Sequence, residues 1–197
     1  MTHETKWSVD LAHSEIEFKV RHLMIAGVRG SFKKFDASIY TTGKDFSTAE
    51  VDLWIDTASV STGSDIRDEH LTSADFLDTE RYPQIAFLSN TIKKSGIDNN
   101  HELWGDLTIK GISKNVQLNL QFGGIQNDPF GNQKAGFTVT GKIKKSDWDI
   151  TWNKTIDTGG LLVGEEIFIS CEVELIKAQQ EALTMVLEPS VNEKTSL

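Results

Sequence analysis

The sequence predicts an all-β protein, an eight-stranded antiparallel barrel with short helical segments in one long loop. Three observations favour this class. Apolar and polar residues alternate along most of the chain, as is typical of strands with one buried face. Turn-forming glycine and asparagine residues separate the alternating runs. No sustained amphipathic helix lies between the runs, so βαβ units are not expected, and about eight antiparallel strands can close into a barrel without free edges.

The alternating runs are spread over the chain. They span residues 15–21, 28–39, 51–55, 85–87, 103–109, 116–122, 137–143 and 167–175. Within the second run the parity of the apolar residues reverses between Phe32 and Phe35, which predicts a β-bulge at positions 33 and 34. The connection between the third and fourth runs is long, and loops of such length are usually functional or locally helical.

The inward-facing positions of these runs carry almost no ionisable side chain. A barrel of this size has an interior that is either filled by side chains or holds one small ligand. Alternation alone leaves a packed core and an apolar ligand cavity equally open. The residues that we expect to face the interior, and to contact any ligand there, are Phe18, Val20, Phe32, Leu53, Ile55, Phe87, Leu107, Leu118, Phe122, Phe137, Val139 and Ile169.

Length and composition predict one soluble domain. The 197 residues suit a barrel over residues 1–177, followed by a tail over 178–197 that forms a short helix or is partly disordered. The net charge of −9 argues against sequence-independent binding of nucleic acid, and gives no overall pull toward an anionic membrane. No apolar run approaches the ~20 residues of a membrane span, so no stable membrane insertion is expected. The start of the sequence lacks the features of a signal peptide, and a single cysteine cannot form an internal disulfide, which together predict a cytoplasmic protein.

The long loop is rich in acidic residues, and it also contains an arginine and a histidine close together. Its sequence over residues 62–87 is "TGSDIRDEHLTSADFLDTERYPQIAF". Ser64 or Asp65 reads as a helix N-cap, and acids suit the first turn of a helix. A catalytic trio can be drawn from Ser61, His70 and Asp68, but most chains of this size offer one. We therefore expect an Arg67–Asp68 pair that holds the loop over the barrel, and no catalytic residues.

Metal binding is weakly indicated. His70 has no histidine at the helical spacing that a zinc site prefers. A metal bridged by His13, His22 and His70 is the remaining alternative. We expect no metal and no cofactor.

Three large aromatic residues have the outward parity of their strands: Trp54, Trp104 and Phe168. Exposed aromatics on a barrel wall indicate a partner surface, with a homodimer as the simplest partner. Equally, the tail or a loop could cover these aromatic side chains. Cys171 has inward parity among isoleucine and valine, which predicts a core thiol.

Two blocks of the sequence resemble the YceI-like proteins, a polyisoprenoid-binding, lipocalin-like family. The similarity extends in order from Trp7 to Leu175, and later strands such as "LWGDLTIKGISKNVQL" match as well. The opening block carries Trp7, Asp10, His13–Ser14, Phe18, His22–Leu23 and Gly30–Phe32. The second carries Thr62–Gly63, Arg67–Asp68, His70–Leu71, Asp75–Phe76, Tyr82–Pro83 and Phe87.

One segment departs from the family pattern. Members commonly have Arg-x-Asp-Phe-Gly where this chain has "KSDWD" at residues 145–149. Lys145 stands for the arginine, Trp148 for the phenylalanine and Asp149 for the glycine. Lysine does not replace arginine at a bidentate site, so the resemblance does not extend to head-group contacts from this segment.

The resemblance implies a lipocalin-like barrel around an apolar tunnel that holds a long isoprenoid lipid, and it favours a cavity over a packed core. The expected function is a carrier for an isoprenoid quinone or an isoprenyl phosphate, and many family members are dimers. Arg67, His70 and Arg81 are the candidates for contact with a polar head group. The alternatives are an enzyme that uses His70 and Asp68 on a quinone or lipid, and a stress-related interaction protein with a packed barrel.

Overall fold

The computed structural model describes residues 4–95, 99–155 and 162–178. The tail was predicted over 178–197, and all of it after residue 178 lies outside the described residues. None of the helices within these ranges is long and apolar enough to cross a membrane. The elements in chain order are β1 (Glu4–Val9), β2 (Glu15–His22), β3 (Ala26–Phe32), β4 (Phe35–Thr42), β5 (Asp45–Asp56), a 3₁₀ turn (Thr57–Ser59), β6 (Val60–Ser61), α1 (Asp65–Thr72), β7 (Gln84–Lys94), β8 (Asn100–Ile109), β9 (Ile112–Asn127), β10 (Gln133–Lys144), a second 3₁₀ turn (Lys145–Trp148) and β11 (Val163–Lys177).

Eight of the strands form a closed antiparallel barrel, in the order β1-β4-β5-β7-β8-β9-β10-β11. The ring closes because β1 pairs with β4 on one side and with the end of β11 on the other. Closure satisfies the backbone hydrogen bonds that a free sheet edge would leave to solvent. The predicted eight-stranded barrel is confirmed.

The remaining strands extend the wall beside β11. The end of β11 pairs with β1 from Leu175 onward, and its earlier part, from Val163 to Glu172, pairs with β2. The β2–β3 hairpin therefore continues the sheet where β1 has ended. The short strand β6 pairs with β3 and adds the last edge. The hairpin therefore contributes inward-facing residues to the barrel interior.

The predicted single strand over 28–39 with a bulge is wrong, since β3 and β4 are separate strands. The N–H groups of Lys33 and Lys34 both donate to Ser59, to its carbonyl at 3.1 Å and its Oγ at 3.0 Å. This turn replaces a strand ladder at those two residues. As a result β3 pairs with β2 and β6, whereas β4 pairs with β1 and β5.

Glycines on the inner face let large side chains lie flat against the wall. A Cβ atom at Gly30 would collide with the ring of Phe18, and one at Gly105 would collide with the ring of Phe87. Both glycines belong to inward-facing positions of their strands, where a larger residue would push these rings into the interior. The glycines thereby help to keep the centre of the barrel open.

One end of the barrel is filled by an aromatic cluster. The indole of Trp7, fully buried, lies 5.0 Å from the ring of Phe46, and its Nε1 donates to Thr41 Oγ1 at 3.0 Å. Phe46 in turn contacts Phe122 and Phe137, with ring centroids 5.6 and 4.8 Å away. The loop that contains α1 lies toward the opposite end.

Candidate ligand-binding cavity

The barrel encloses an apolar cavity of about 430 Å³. Many side chains that point into the barrel, such as Leu53, Val139 and Ile169, are only half-buried. They line the cavity, so the surface that they expose faces the interior. A packed core would bury these side chains fully, because protein interiors are close-packed. The interior is therefore hollow along part of its length.

Most of the residues predicted to face the interior lie around this cavity. Phe122 does not line it, because its ring packs against Phe46 and Phe137 in the aromatic cluster. Whether the lining residues contact a ligand stays a prediction. The predicted residues that line the cavity are Phe18, Val20, Phe32, Leu53, Ile55, Arg67, His70, Phe87, Leu107, Leu118, Phe137, Val139 and Ile169.

The polar groups of the lining gather on β2, on α1 and beside them. Towards the aromatic cluster the lining residues are apolar, as with Val9, Phe46 and Leu175. The sequence singled out two of the polar members and missed the cavity contact of the others. Of these, His22 has the inward parity of Phe18 and Val20, Glu17 and Arg21 have outward parity, and Thr62 and Lys145 lie outside the strands. The predicted candidate Arg81 is not among the lining residues and instead packs its guanidinium over the Tyr82 ring at 5.3 Å. The polar lining residues are Glu17, Arg21, His22, Thr62, Arg67, His70 and Lys145.

Helix α1 is fastened to the barrel through Thr62. The Asp68 carboxylate accepts hydrogen bonds from the Thr62 N–H at 2.9 Å and from the Thr62 hydroxyl. Arg67 donates to the same residue, from Nε to Oγ1 at 2.7 Å and from Nη2 to the carbonyl at 2.9 Å. The predicted Arg67–Asp68 pair is therefore wrong, because each side chain is bonded to Thr62 and not to the other. Ser64 is the N-cap residue, although its side chain makes no capping hydrogen bond.

His70 is held by an acid and two aromatic rings. Its Nε2 lies 2.9 Å from Asp75 Oδ2, and its ring makes edge-on contacts with Phe76 and Trp152 at centroid distances of 5.0 and 4.6 Å. The acid partner of His70 is thus Asp75, while Asp68 is engaged by Thr62. The trio drawn from Ser61, His70 and Asp68 is not assembled as a nucleophile–histidine–acid relay.

The histidines are not arranged to share a metal. His13 and His22 lie at opposite ends of β2, whose eight residues separate them by roughly 25 Å at ~3.3 Å per residue. Within the described residues the one group with ligand-like spacing is Asp10, His13 and Glu174. Lys134 already supplies a cation there, with Nζ at 2.8 Å from Asp10 and 2.6 Å from Glu174.

The departing segment is built around a buried lysine. Lys145 is 3% exposed, and its Nζ donates to the carbonyls of Ile150 at 2.9 Å and Trp152 at 3.2 Å. Trp148 is also buried, and its Nε1 donates to the Leu107 carbonyl at 3.1 Å. Asp149 has φ +56°, in the left-handed region that favours glycine, which explains why a glycine suits this position.

Cys171 lies on the cavity wall, as its inward parity predicted. Burial raises the pKa of its thiol to about 12. The thiol therefore stays protonated near neutral pH and is a poor nucleophile.

Comparison with known proteins identifies the family. The family model described as YceI-like domain matches residues 7–175. A UPF0312 protein of Staphylococcus aureus (strain MSSA476) is 34% identical over 171 residues, which cover 86% of this chain and 96% of the relative. The crystal structure of BcnA from Burkholderia cenocepacia has a TM-score of 0.72 at 27% identity, covering 84% of this chain and 98% of that one. A polyisoprenoid-binding domain from Saccharophagus degradans shares the fold, with a TM-score of 0.63 at 18% identity over 87% of this chain and 98% of that one. The chain belongs to the YceI-like family.

Proposed function

We propose that the protein binds and carries a long apolar lipid, a polyisoprenoid such as an isoprenoid quinone or an isoprenyl phosphate, inside the barrel. The observation that carries the proposal is the hollow apolar interior, with its polar groups confined to one region. Such a cavity can bury a hydrocarbon chain and leave a polar head at the mouth. The polyisoprenoid binding stated for the S. degradans domain supports the choice of lipid. The proposal includes no catalytic step, metal or cofactor.

The polarity of the lining orients the ligand. The tail would point toward the aromatic cluster, and the head would lie near Arg67 and His70. Lys145 adds positive charge in the same region. Arg21 and Glu17 also lie along this wall, but both are exposed and have the outward parity of β2, so they do not alter the balance. This balance favours a head group that accepts hydrogen bonds or carries negative charge.

The size of the cavity limits how much of the tail it buries. At ~30 Å³ for a group the size of a water molecule, 430 Å³ corresponds to roughly fifteen carbon-sized groups. Burial at ~0.8 kcal/mol per methylene would then contribute on the order of 12 kcal/mol to the binding free energy. The entropy cost of ordering the lipid tail offsets part of this contribution. A longer tail would extend through the mouth or need a wider barrel.

The test fills the cavity by mutation. Val139→Trp places a large side chain inside the barrel, whereas Thr140→Trp places the same side chain on the exposed outer face of the same strand. We expect Val139→Trp to lose at least about tenfold in affinity for an added isoprenoid quinone or isoprenyl phosphate, because the tail and the indole compete for one volume. Thr140→Trp should bind like the unmodified protein.

Binding is measured by solvent extraction and mass spectrometry of the purified protein, and by titration with each lipid. Thermal unfolding of both variants checks that the barrel is intact. The proposal is overturned if the unmodified protein neither carries nor takes up an isoprenoid, or if Val139→Trp binds as tightly as Thr140→Trp.

We further propose, as a matter separate from the cavity, that two copies pair through the outer wall. Trp54 and Leu88 lie on the adjacent strands β5 and β7 and are 41% and 55% exposed. Neighbouring exposed apolar residues of this kind are typical of partner surfaces. The homodimer stays a prediction.

A further inference from the structure

The β2–β3 hairpin ends in exposed aliphatic side chains. Its tip, residues 23–25, includes Met24 and Ile25, which are 58% and 81% exposed. The hairpin also lines the cavity through Val20, His22 and Val28. Two large apolar side chains are therefore held in solvent directly beside the polar region of the cavity.

The hairpin tip places two bulky residues in a backbone conformation that such residues rarely adopt. Leu23 and Met24 have φ of +52° and +60°, and the Ile25 N–H donates to the His22 carbonyl at 3.2 Å, which is the geometry of a type I′ turn. Asparagine and glycine suit these two positions, while leucine and methionine are strained there. Apolar side chains at this tip cost stability, and turn formation does not require them.

The outer face of the hairpin carries a cationic flank of Lys19, Arg21 and Arg29. Lys19 and Arg29 are directly opposite each other in the ladder, an arrangement that repels in water. The stem of Lys19 lies across Gly27, which carries its ammonium toward the tip. Residues 19–29 include three cations and no carboxylate, in a chain of net charge −9.

Two acids near this flank have other partners, while the exposed Glu17 lies on the same outer face, two residues before Lys19. At the start of β11, Glu165 accepts from the Ser146 N–H at 2.9 Å, and Glu166 pairs with Lys142 at 2.7 Å. Within residues 4–95, 99–155 and 162–178, none of the three flank cations forms an ion pair. Phe168, 42% exposed, is opposite Lys19 on the same outer face and adds apolar area.

We infer that the hairpin tip and the cationic flank dock the protein on an anionic lipid bilayer. Aliphatic side chains that enter the headgroup region, with cations behind them at the level of the lipid phosphates, are the usual components of a peripheral membrane site. The inference deepens the proposed function and rests on it for its purpose, since an insoluble cargo has to enter from a membrane. Contact at the hairpin places the cavity's polar region at the membrane surface.

The test uses vesicles without isoprenoid, so that docking is measured apart from cargo binding. The protein is floated with vesicles of phosphatidylcholine mixed with phosphatidylglycerol in equal parts, and with vesicles of phosphatidylcholine alone. We expect clear enrichment on the mixed vesicles, and release at ~1 M salt, where screening acts within ~3 Å.

Two variants separate the apolar and the charged contributions. Met24→Asn with Ile25→Ser removes the apolar tip, and asparagine suits the positive φ, so the hairpin should stay folded or become more stable. Lys19→Gln with Arg29→Gln removes two flank cations and their mutual repulsion. Each double variant should bind the mixed vesicles at least about tenfold more weakly.

Matched controls use residues of the same types elsewhere. Leu11→Ser removes an exposed apolar side chain from the loop between β1 and β2, and Lys93→Gln with Lys94→Gln removes two exposed cations from β7. Both controls should bind vesicles normally. The inference is overturned if the unmodified protein shows no preference for mixed vesicles, or if the hairpin variants bind like the controls.

The proposed function is tested separately in the same proteins. The hairpin variants should still bind an added isoprenoid quinone in vesicle-free solution. Vesicle binding without isoprenoid binding would reject the carrier function and leave the docking site standing. Isoprenoid binding without vesicle binding would reject the docking site and leave the carrier function standing.

Discussion

Lys145 shows how one residue type can serve a structural purpose in an apolar wall. Its ammonium is buried where a charge is costly, and two main-chain carbonyls of the following segment accept its hydrogen bonds. Glu165 lies 4.0 Å away and partly balances the charge. The side chain thereby folds residues 150–152 back beneath α1, where Trp152 meets the ring of His70. The Lys145 ammonium already donates to the carbonyls of this loop. Arg67 and His70 are therefore the better candidates for contact with a ligand head group.

Asp149 gives a prediction at the scale of one residue. Asp149→Gly should raise the free energy of unfolding by about 0.5 to 1 kcal/mol, because glycine adopts positive φ without steric cost. The thermal midpoint should rise by about 1 to 4 °C. Differential scanning calorimetry of the purified protein measures both quantities.

The control for this change is Asp147→Gly in the same 3₁₀ turn. Asp147 is exposed and is not among the residues with positive φ, so glycine there should only add freedom to the unfolded chain and lower stability slightly. A fall in the midpoint for Asp149→Gly would contradict the backbone argument.

At the scale of elements, α1 is a helix with little apolar anchorage. None of its residues is fully buried, and its eight residues are too few to be stable alone. Its position depends on the hydrogen bonds of Arg67 and Asp68 to Thr62 and on the packing of His70. The element nearest the cavity's polar region is therefore also one of the easiest to release locally.

Asp68→Ala should loosen α1 and leave the barrel intact. The loss of a charged acceptor from Thr62 should lower the local stability of residues 62–72 by about 1.5 to 3 kcal/mol. Amide hydrogen exchange in this segment should then be roughly tenfold to a hundredfold faster, while the barrel strands keep their protection.

Glu69→Ala is the matched control for α1, because Glu69 is the exposed acid next along the helix. It should leave exchange in the segment nearly unchanged. Equal acceleration in α1 and in strands β7 to β10 after Asp68→Ala would show that Asp68 supports the whole fold and not the helix alone.

At the scale of the whole molecule, the barrel closes where β1 meets the end of β11. Asp10 follows β1, Lys134 lies on β10 and Glu174 on β11, and the lysine joins both acids. The Asp10 N–H also donates to the Glu174 carbonyl at 2.8 Å. This cluster connects three strands at the end of the barrel that the aromatic cluster fills.

The closure cluster predicts a dependence of stability on pH. Hydrogen bonds from the Lys134 ammonium and then from His13 hold the pKa of Asp10 well below its usual value. A carboxyl whose pKa is lowered by folding stabilises above its unfolded pKa of about 3.9, and this contribution is lost as the pH falls toward the folded value. Hydrogen bonds to Asp10 and Glu174 raise the pKa of Lys134, so its contribution is lost only as the pH rises above about 10.4.

Asp10→Asn should therefore lower the free energy of unfolding at neutral pH, and the difference from the unmodified protein should shrink below about pH 4. Urea unfolding at the two pH values measures it. The control Asp52→Asn changes an exposed carboxylate on the outer wall and should have little effect at either pH. If the free energy of unfolding of Asp10→Asn stays lower by the same amount in acid, the carboxylate charge is not what stabilises the closure.

Much of the barrel could be predicted from the sequence, because each strand reports its own facing through a period of two. That local rule identified Phe18, Leu53, Phe87 and Val139 as inward residues without knowledge of their partners. It did not identify β1, because that strand has only two apolar residues, Trp7 and Val9. It joined β3 to β4, because a parity change does not tell a bulge from a break.

The candidate site was predicted less completely, because it depends on contacts between distant segments. The residue types of Arg67 and His70 drew attention to α1, but Thr62 and Lys145 lie at the cavity because of loop contacts that no local pattern encodes. Phe122 has the parity of a lining residue, yet two aromatic neighbours from other strands occupy its side of the barrel.

The sequence by itself determined the all-β class, the alternation that makes the interior apolar, and the family blocks at residues 7–39 and 62–87. Only the tertiary structure decided that the interior is hollow, since the space left between inward side chains depends on how the strands close. It also decided how the charges are distributed over the surface. The chain has a net charge of −9, yet folding places a cationic flank on one hairpin, and the net charge alone does not predict such a patch.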